Sequence, residues 1–465
     1  MATPQRLSAL DATFLALSSP EVPFVPGCVL MLDRPLALAP LEARIEALVE
    51  ELPRYRQRIV RAPLIHSLAW IDDTEFLIER HVDVLHVPAP GGQRELEEAV
   101  AELLTAGVPE DHPPWRVWTV EGLADGGGAL IAVVHHALVD GVAGIGLLER
   151  LLRLTPESGA SAQPVRQPDQ RGKAKPILER VIERVAADLR GRAAAWNQLT
   201  HELDPRHQAS TLGALLLQGL RPSSDLQLDG RAASRDRSFA MVTFPLDEAK
   251  AIKRTFAVTV NDVMLACISG TLRRYVARLG VDPDRLDDVR AMVPVNRHGR
   301  DEHATSGNRV ALLLTALSVD EPDATRRLHR IAETTRSLKA RDMAGAGDML
   351  VALSNLTWSG VLTNVFRLAL WRRAFRIVIT NVPGPPVPLY LLDARVTRFA
   401  PVVNLWPGTP LAFAIGSYAG TLTVTVDADR AQVPDVAPLV EDLQQSFAEL
   451  RDAARAASTV QASAG

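Results

Sequence analysis

Strand-like and helix-like segments alternate along most of this chain, and that alternation narrows its fold more than any other feature. Short apolar runs suit strands, whereas apolar residues recurring at helical spacing suit helices. Cys28–Leu32 predicts a buried strand, Leu38–Glu51 a helix, and Glu95–Leu104 a helix with glutamates on its outer face. Arg116–Glu121 alternates as a strand and Ala129–Val134 is a short apolar run, with Gly126, Gly127 and Gly128 marking a hairpin turn between them. Gly144–Leu154 reads as a helix. Composition then changes: residues 155–176 are polar and rich in Pro, Gly and Ser, as a linker or mobile loop is. Helical text follows over Ile177–His201, and a second soft stretch ends near Ser238. A new series starts there, with a strand at Phe239–Phe244, helices at Leu246–Arg254 and Asn261–Leu279, and strands at Ala291–Val295, Arg309–Ser318, Phe375–Thr380 and Thr421–Val426. Val436–Ala454 is a final helix, beyond which the Ala/Ser tail is expected to fray. The expectation is an α/β chain with α+β mixed sheets in two halves, residues 1–155 and 239–465, joined by a linker and connecting helices over 156–238.

The composition excludes several classes. Hydrophobic residues at 47% and charged residues at 23% exclude a wholly disordered chain. A net charge of −4 argues against nucleic acid as a partner. Cys28 and Cys267 lie too far apart in sequence for a disulfide framework, so a reducing, cytoplasmic setting is expected. The opening residues carry one Arg and an apolar stretch broken by Asp11, a poor signal peptide. Met349–Phe366 and Phe399–Val426 lack charge, but the first is dense in Ser, Thr and Asn, and the second in Pro and Gly before an alternating TLTVTVD. Neither suits a transmembrane span, and none is expected.

The densest chemical signal is VVHHALVDGVAG, residues 133–144. An apolar strand delivers His135 and His136 into a loop that reaches Asp140 and Gly141 before a helix. Adjacent residues leaving a strand point to opposite sides, so one His can face a given cleft. Histidine suits general-base work because its pKa lies near physiological pH. Asp140 is placed to brace the loop through an Arg, and Gly141 permits a sharp turn. Two other readings stand beside this one. The segment is also a serviceable strand–turn–helix with Asp140 as N-cap, and His136 and Asp140 have the helical spacing of metal ligands. No second metal-type cluster accompanies them, because His298 and His303 sit in a charged loop, and no metal is expected. There is no G-x-S-x-G nucleophile elbow, Cys267 lies on an apolar helix face, and the Gly126–Gly128 run suits a hairpin rather than a phosphate loop.

The HHxxxDG core of residues 135–141 resembles that of the bacterial wax ester synthase/diacylglycerol acyltransferase family, relatives of chloramphenicol acetyltransferases and peptide-synthetase condensation domains. The flanks sharpen the resemblance: LSALDATFL near the start, PRYRQRIV from Pro53, PPWRVWTVEGL from Pro113, TVNDVMLA from Thr259, PVNR from Pro294, SGNRVALLL from Ser306, ITNVPGP from Ile379 and VPD from Val433 occur in the family's order. Three positions depart from it: Pro113-Pro114-Trp115 where Pro-Leu-Trp is usual, Pro23-Phe24-Val25-Pro26 where Pro-Met-His is common, and Ala143 where Ser is frequent. These leave the His–Asp core intact and bear on which acyl acceptor fits.

The resemblance implies two chloramphenicol-acetyltransferase-like domains in pseudo-dimeric arrangement around a central tunnel, with His136 at their interface. It implies transfer of a long-chain acyl group from acyl-CoA, as co-substrate and with no cofactor, to diacylglycerol or a fatty alcohol. His136 would be the general base and no acyl-enzyme would form; His135 supports it, Asp140 holds the loop, and Arg297 is taken as the partner of Asp140. Asn261, Asp262 and Asn381 would shape the second half's side of the tunnel, although Asn261-Asp262 equally suits helix capping. Pro114 and Trp115 are candidate substrate contacts that also suit plain packing. Such substrates imply peripheral contact with a membrane or lipid-droplet surface, for which the basic, Trp-bearing helix of Trp358–Arg376 is the candidate, ordinary packing being the alternative. Rival functions are the same fold with another hydroxyl or an amine acceptor, and a silent lipid-binding homologue.

Overall fold

The computed structural model describes residues 5–7, 9–62, 67–138, 148, 150–156, 221–226, 234–296, 310–340, 360–371 and 373–464. The first half runs β1 (Gln5–Arg6), α1 (Ala9–Leu17), β2 (Gly27–Leu32), α2 (Leu38–Glu51), β3 (Gln57–Ala62), β4 (Ser67–Asp72), β5 (Val82–His86), α3 (Gln93–Ala106), β6 (Trp115–Glu121), β7 (Gly128–Val134) and β8 (Leu152–Arg153). The second runs β9 (Arg237–Pro245), α4 (Leu246–Phe256), α5 (Val260–Arg278), β10 (Val289–Asn296), β11 (Val310–Leu317), α6 (Ala324–Ala340), α7 (Gly360–Trp371), β12 (Ile377–Pro383), β13 (Tyr390–Leu391), β14 (Ala394–Val402), β15 (Leu411–Tyr418), β16 (Thr421–Asp429) and α8 (Ala437–Ala464). The α2 helix has the bounds its apolar spacing predicts, burying Leu41, Ile45, Leu48 and Val49 along one stripe. The tail departs from expectation. α8 does not fray after Ala454 but continues to Ala464, through an Ala-rich stretch of high helix propensity.

Two large mixed sheets carry the fold. One has the order β11-β10-β12-β15-β16-β9, the other β5-β6-β7-β2-β14-β13-β8. β6 and β7 pair as the predicted antiparallel hairpin. The second sheet takes β13 and β14 from the far half of the chain, β14 lying antiparallel to β2 with Phe399 opposite Leu30 and Val402 opposite Gly27. The halves are therefore interlocked by backbone hydrogen bonds.

The six-stranded sheet buries one face under helices: Ile377, Ile379, Phe413, Ile415, Val424 and Val426 pack with Val263, Ile268, Leu439 and Leu443. α5 is buried on nearly all sides because α6 and α8 flank it above the sheet. α4 and α5 are both seated in this core, and no single described helix is long and apolar enough to cross a membrane. The opposite face meets the first half. Phe239 and Met241 of β9 join Val29, Ile131, Val133, Ala400 and Val402, and the Thr425 hydroxyl donates to the Pro401 carbonyl at 2.6 Å.

Gly416 sits where β14 crosses β15: a Cβ there would meet Pro401 Cδ at 2.6 Å and Phe399 Cδ1 at 3.1 Å. Gly416→Ala should therefore destabilise the chain by about 1–3 kcal/mol, read as a lower urea midpoint. An unchanged midpoint would show that the crossing tolerates a methyl group and is not close-packed.

Candidate functional site

β7 ends at Val134, and His135 and His136 leave it in opposite directions. His135 turns inward and is 7% exposed. Its backbone N–H donates to the Pro114 carbonyl at 2.8 Å, and its Nδ1 accepts the Ala137 N–H at 3.1 Å. An accepting Nδ1 assigns the ring proton to Nε2. Burial, aided by the adjacent His136, pushes the pKa of His135 down to about 4. His135 is thus a neutral acceptor that fixes the turn at physiological pH.

His136 opens the short 3₁₀ turn His136–Leu138 and turns the other way. Its backbone N–H donates to the Phe24 carbonyl at 2.7 Å. The imidazole lies against the Phe14 ring, centroids 3.9 Å apart and planes at 38°. Phe14 packs with Phe24 at 5.8 Å and edge-on to Trp406 at 6.1 Å. These rings share one apolar cluster with Met292, Val378, Ala412 and Ala414 of the six-stranded sheet. His136 therefore lies against Phe14 and Phe24 of the first half, whose rings pack in turn with residues of the second.

Two candidates from distant motifs meet: Asn381 Nδ2, near the end of β12, donates to Asn261 Oδ1 in the first turn of α5 at 3.2 Å. Asp262 is committed to folding. Its Oδ2 accepts from the Thr259 N–H at 2.9 Å and hydroxyl at 2.7 Å, closing a capping box, and its Oδ1 accepts the Thr335 hydroxyl at 2.7 Å. Pro114 supplies the carbonyl that holds His135. Trp115 is 1% exposed, donates its indole N–H to Tyr55 O at 2.8 Å, and stacks on the buried His81 at 4.5 Å. Asp140, Gly141 and Arg297, with the brace expected of them, lie outside the described residues, as do His298 and His303. Among the described residues no group of three or more His, Cys, Asp or Glu gathers to hold a metal.

Of the candidate lipid helix, α7 packs on α1: Thr363 and Thr13 hydroxyls lie 3.0 Å apart in the interior, while Arg367 and Leu368 face outward. Sequence reasoning missed Phe14 and Phe24 as neighbours of His136, and Trp406 as the ring behind them. Phe14 lies in the family-like LSALDATFL and Phe24 in the stretch that departs from the family's Pro-Met-His, and no pattern in either ties them to the histidine.

Residues 7–264 match the wax ester synthase/diacylglycerol acyltransferase catalytic domain and residues 306–451 the C-terminal domain of the same family. A Mycobacterium tuberculosis protein inferred to be a diacylglycerol O-acyltransferase is 30% identical over 432 residues, covering 88% of each chain. A second from that organism, named a probable diacylglycerol O-acyltransferase, is 29% identical and covers 96% of this chain and 95% of its own. The solved wax ester synthase/diacylglycerol acyltransferase of Marinobacter aquaeolei VT8 shares the fold with a TM-score of 0.67 at 23% identity, over 97% of this chain and 100% of that one. The starter condensation domain of rhizomide synthetase has a TM-score of 0.58 at 15% identity, over 97% and 95%.

The depressed pKa of His135 makes a stability prediction. The unfolded chain binds this proton below about pH 6.5 and the folded chain below about pH 4, so stability falls as pH drops through that window, by up to about 1.4 kcal/mol per pH unit. His135→Gln, which keeps an acceptor and cannot titrate, should lose less stability between pH 7 and pH 5 in urea melts. Parallel losses in the two proteins would refute a neutral buried His135.

Proposed function

Because the chain belongs to the wax ester synthase/diacylglycerol acyltransferase family and is an acyltransferase, we propose that it transfers a long-chain acyl group from acyl-CoA to the hydroxyl of diacylglycerol or of a long-chain alcohol. The observation that supports this reading is the contact of His136 with Phe14, whose apolar cluster draws on both halves, beside a His135 held neutral by burial. A neutral imidazole there removes the acceptor's hydroxyl proton as the oxygen attacks the thioester carbonyl. The tetrahedral intermediate collapses, the C–S bond breaks, and the CoA sulfur takes the proton back from the imidazolium. Ester and free CoA leave without an acyl-enzyme. Phe14, Phe24 and Trp406, each at most 5% exposed, keep water from competing with the acceptor. In this reading the Asn261–Asn381 pair shapes the second half's wall, and Asp262 serves folding alone.

Thiol release from palmitoyl-CoA tests the reading, with dioleoylglycerol, hexadecanol or no acceptor present. Acceptor-dependent release is expected, reduced about 10²–10⁴-fold in His136→Ala. Full activity in that variant would remove His136 from the mechanism. Absence of release with either acceptor would favour another acceptor or a silent lipid binder.

A further inference from the structure

We propose that Phe14 is a positioning residue for acyl transfer: the π face of its ring seats the His136 imidazole and stabilises the imidazolium that forms when the acceptor gives up its proton. This inference rests on the reading of His136 as the general base and deepens it.

The rings are 3.9 Å apart at 38°. That separation is shorter than edge-to-face pairs adopt, so the imidazole lies against the ring face. An aromatic face carries negative quadrupole density and attracts a cation, more strongly where water is excluded. The aromatic side of the contact is shielded from water, Phe14 being 5% exposed and Phe24 fully buried, while the imidazole is partly buried.

Phe14 is itself fixed from the second half. On α1, Thr13 meets Thr363 of α7, and the Ala16 carbonyl accepts from Arg367 Nη2 at 3.2 Å. Trp406, following β14, packs nearly perpendicular to the Phe14 ring, planes at 83°. The second half therefore backs the helix that carries Phe14.

Among the described residues of the packed elements, Arg367 of α7 reaches the Ala16 carbonyl of α1. His135 precedes His136 and is held neutral. Asp11 lies one turn before Phe14 on α1, 6% exposed. From the second half, Arg376 pairs with Asp225 at 3.5 Å, and Arg237 and Asp427 are buried together on β9 and β16. Asp140 lies outside the described residues. None of the described charged groups is altered chemically by a substitution at residue 14.

The test compares the unmodified protein with Phe14→Leu, which keeps apolar volume without a π face, and Phe14→Tyr, which keeps the face. The His136 ring signal, assigned by its loss in His136→Gln, is titrated by NMR without substrate, and the pH profile of kcat/KM is measured beside it. In Phe14→Leu the His136 midpoint and the acid limb should both fall by about half a pH unit or more, while Phe14→Tyr stays near the unmodified protein. An unchanged midpoint in Phe14→Leu overturns the proposal. Equal falls in both variants also overturn it, because packing and not the ring face would be the cause. If no acceptor supports turnover, the acyl-transfer reading fails on that assay, while the NMR midpoint still judges the ring contact separately.

Discussion

The pairing of β14 with β2 is the interaction on which the site depends. β2 lies between β7 and β14, with Gly27 opposite Val133 on one side and Val402 on the other. Extend each strand a few residues past that shared rung and the site assembles. β7 continues into His135 and His136, β2 is preceded by Phe24, and β14 is followed by Trp406. Register alone thus brings the His136 N–H to the Phe24 carbonyl and Phe24 to Trp406, with ring centroids 5.0 Å apart. A one-residue slip would turn each side chain to the other face and take the rings from the histidine.

The two histidines then divide the work by direction. His135, sent inward, loses its charge to burial and becomes a fixed acceptor for the Ala137 N–H. His136 lays its ring against that of Phe14. One strand end therefore supplies both a fixed turn and the histidine proposed as the base. The same economy holds at α5, where Asp262 caps the helix and ties it to Thr335 while the preceding Asn261 reaches Asn381.

Much of this was legible in the sequence, for identifiable reasons. Helical periodicity located α2, which buries one marked stripe, and apolar runs located α5 and the β6–β7 hairpin, which are buried nearly all round. The opposed directions of His135 and His136 followed from strand alternation. The origin of β14 did not: the Phe399–Val426 stretch reads as buried strands and turns, but an apolar strand does not encode its partner, and this one pairs with β2 from the opposite half. The tail was misread because Ala and Ser suggest a loose end, whereas a helix already docked by Leu439, Leu443 and Phe447 propagates through Ala readily. The Asn261–Asn381 contact joined two motifs noted separately, and Phe14 had no chemical mark beyond an aromatic ring in a short helix.

The central claim is that the reacting thioester lies at the seam, beside His136. A crystal structure of His136→Ala with palmitoyl-CoA tests it most directly. The account predicts the thioester carbonyl in the space vacated by the imidazole, with the acyl chain bounded by Phe14 and Trp406 and contacts from both halves. Palmitoyl-CoA bound with its thioester away from residue 136, or held by one half alone, would contradict it.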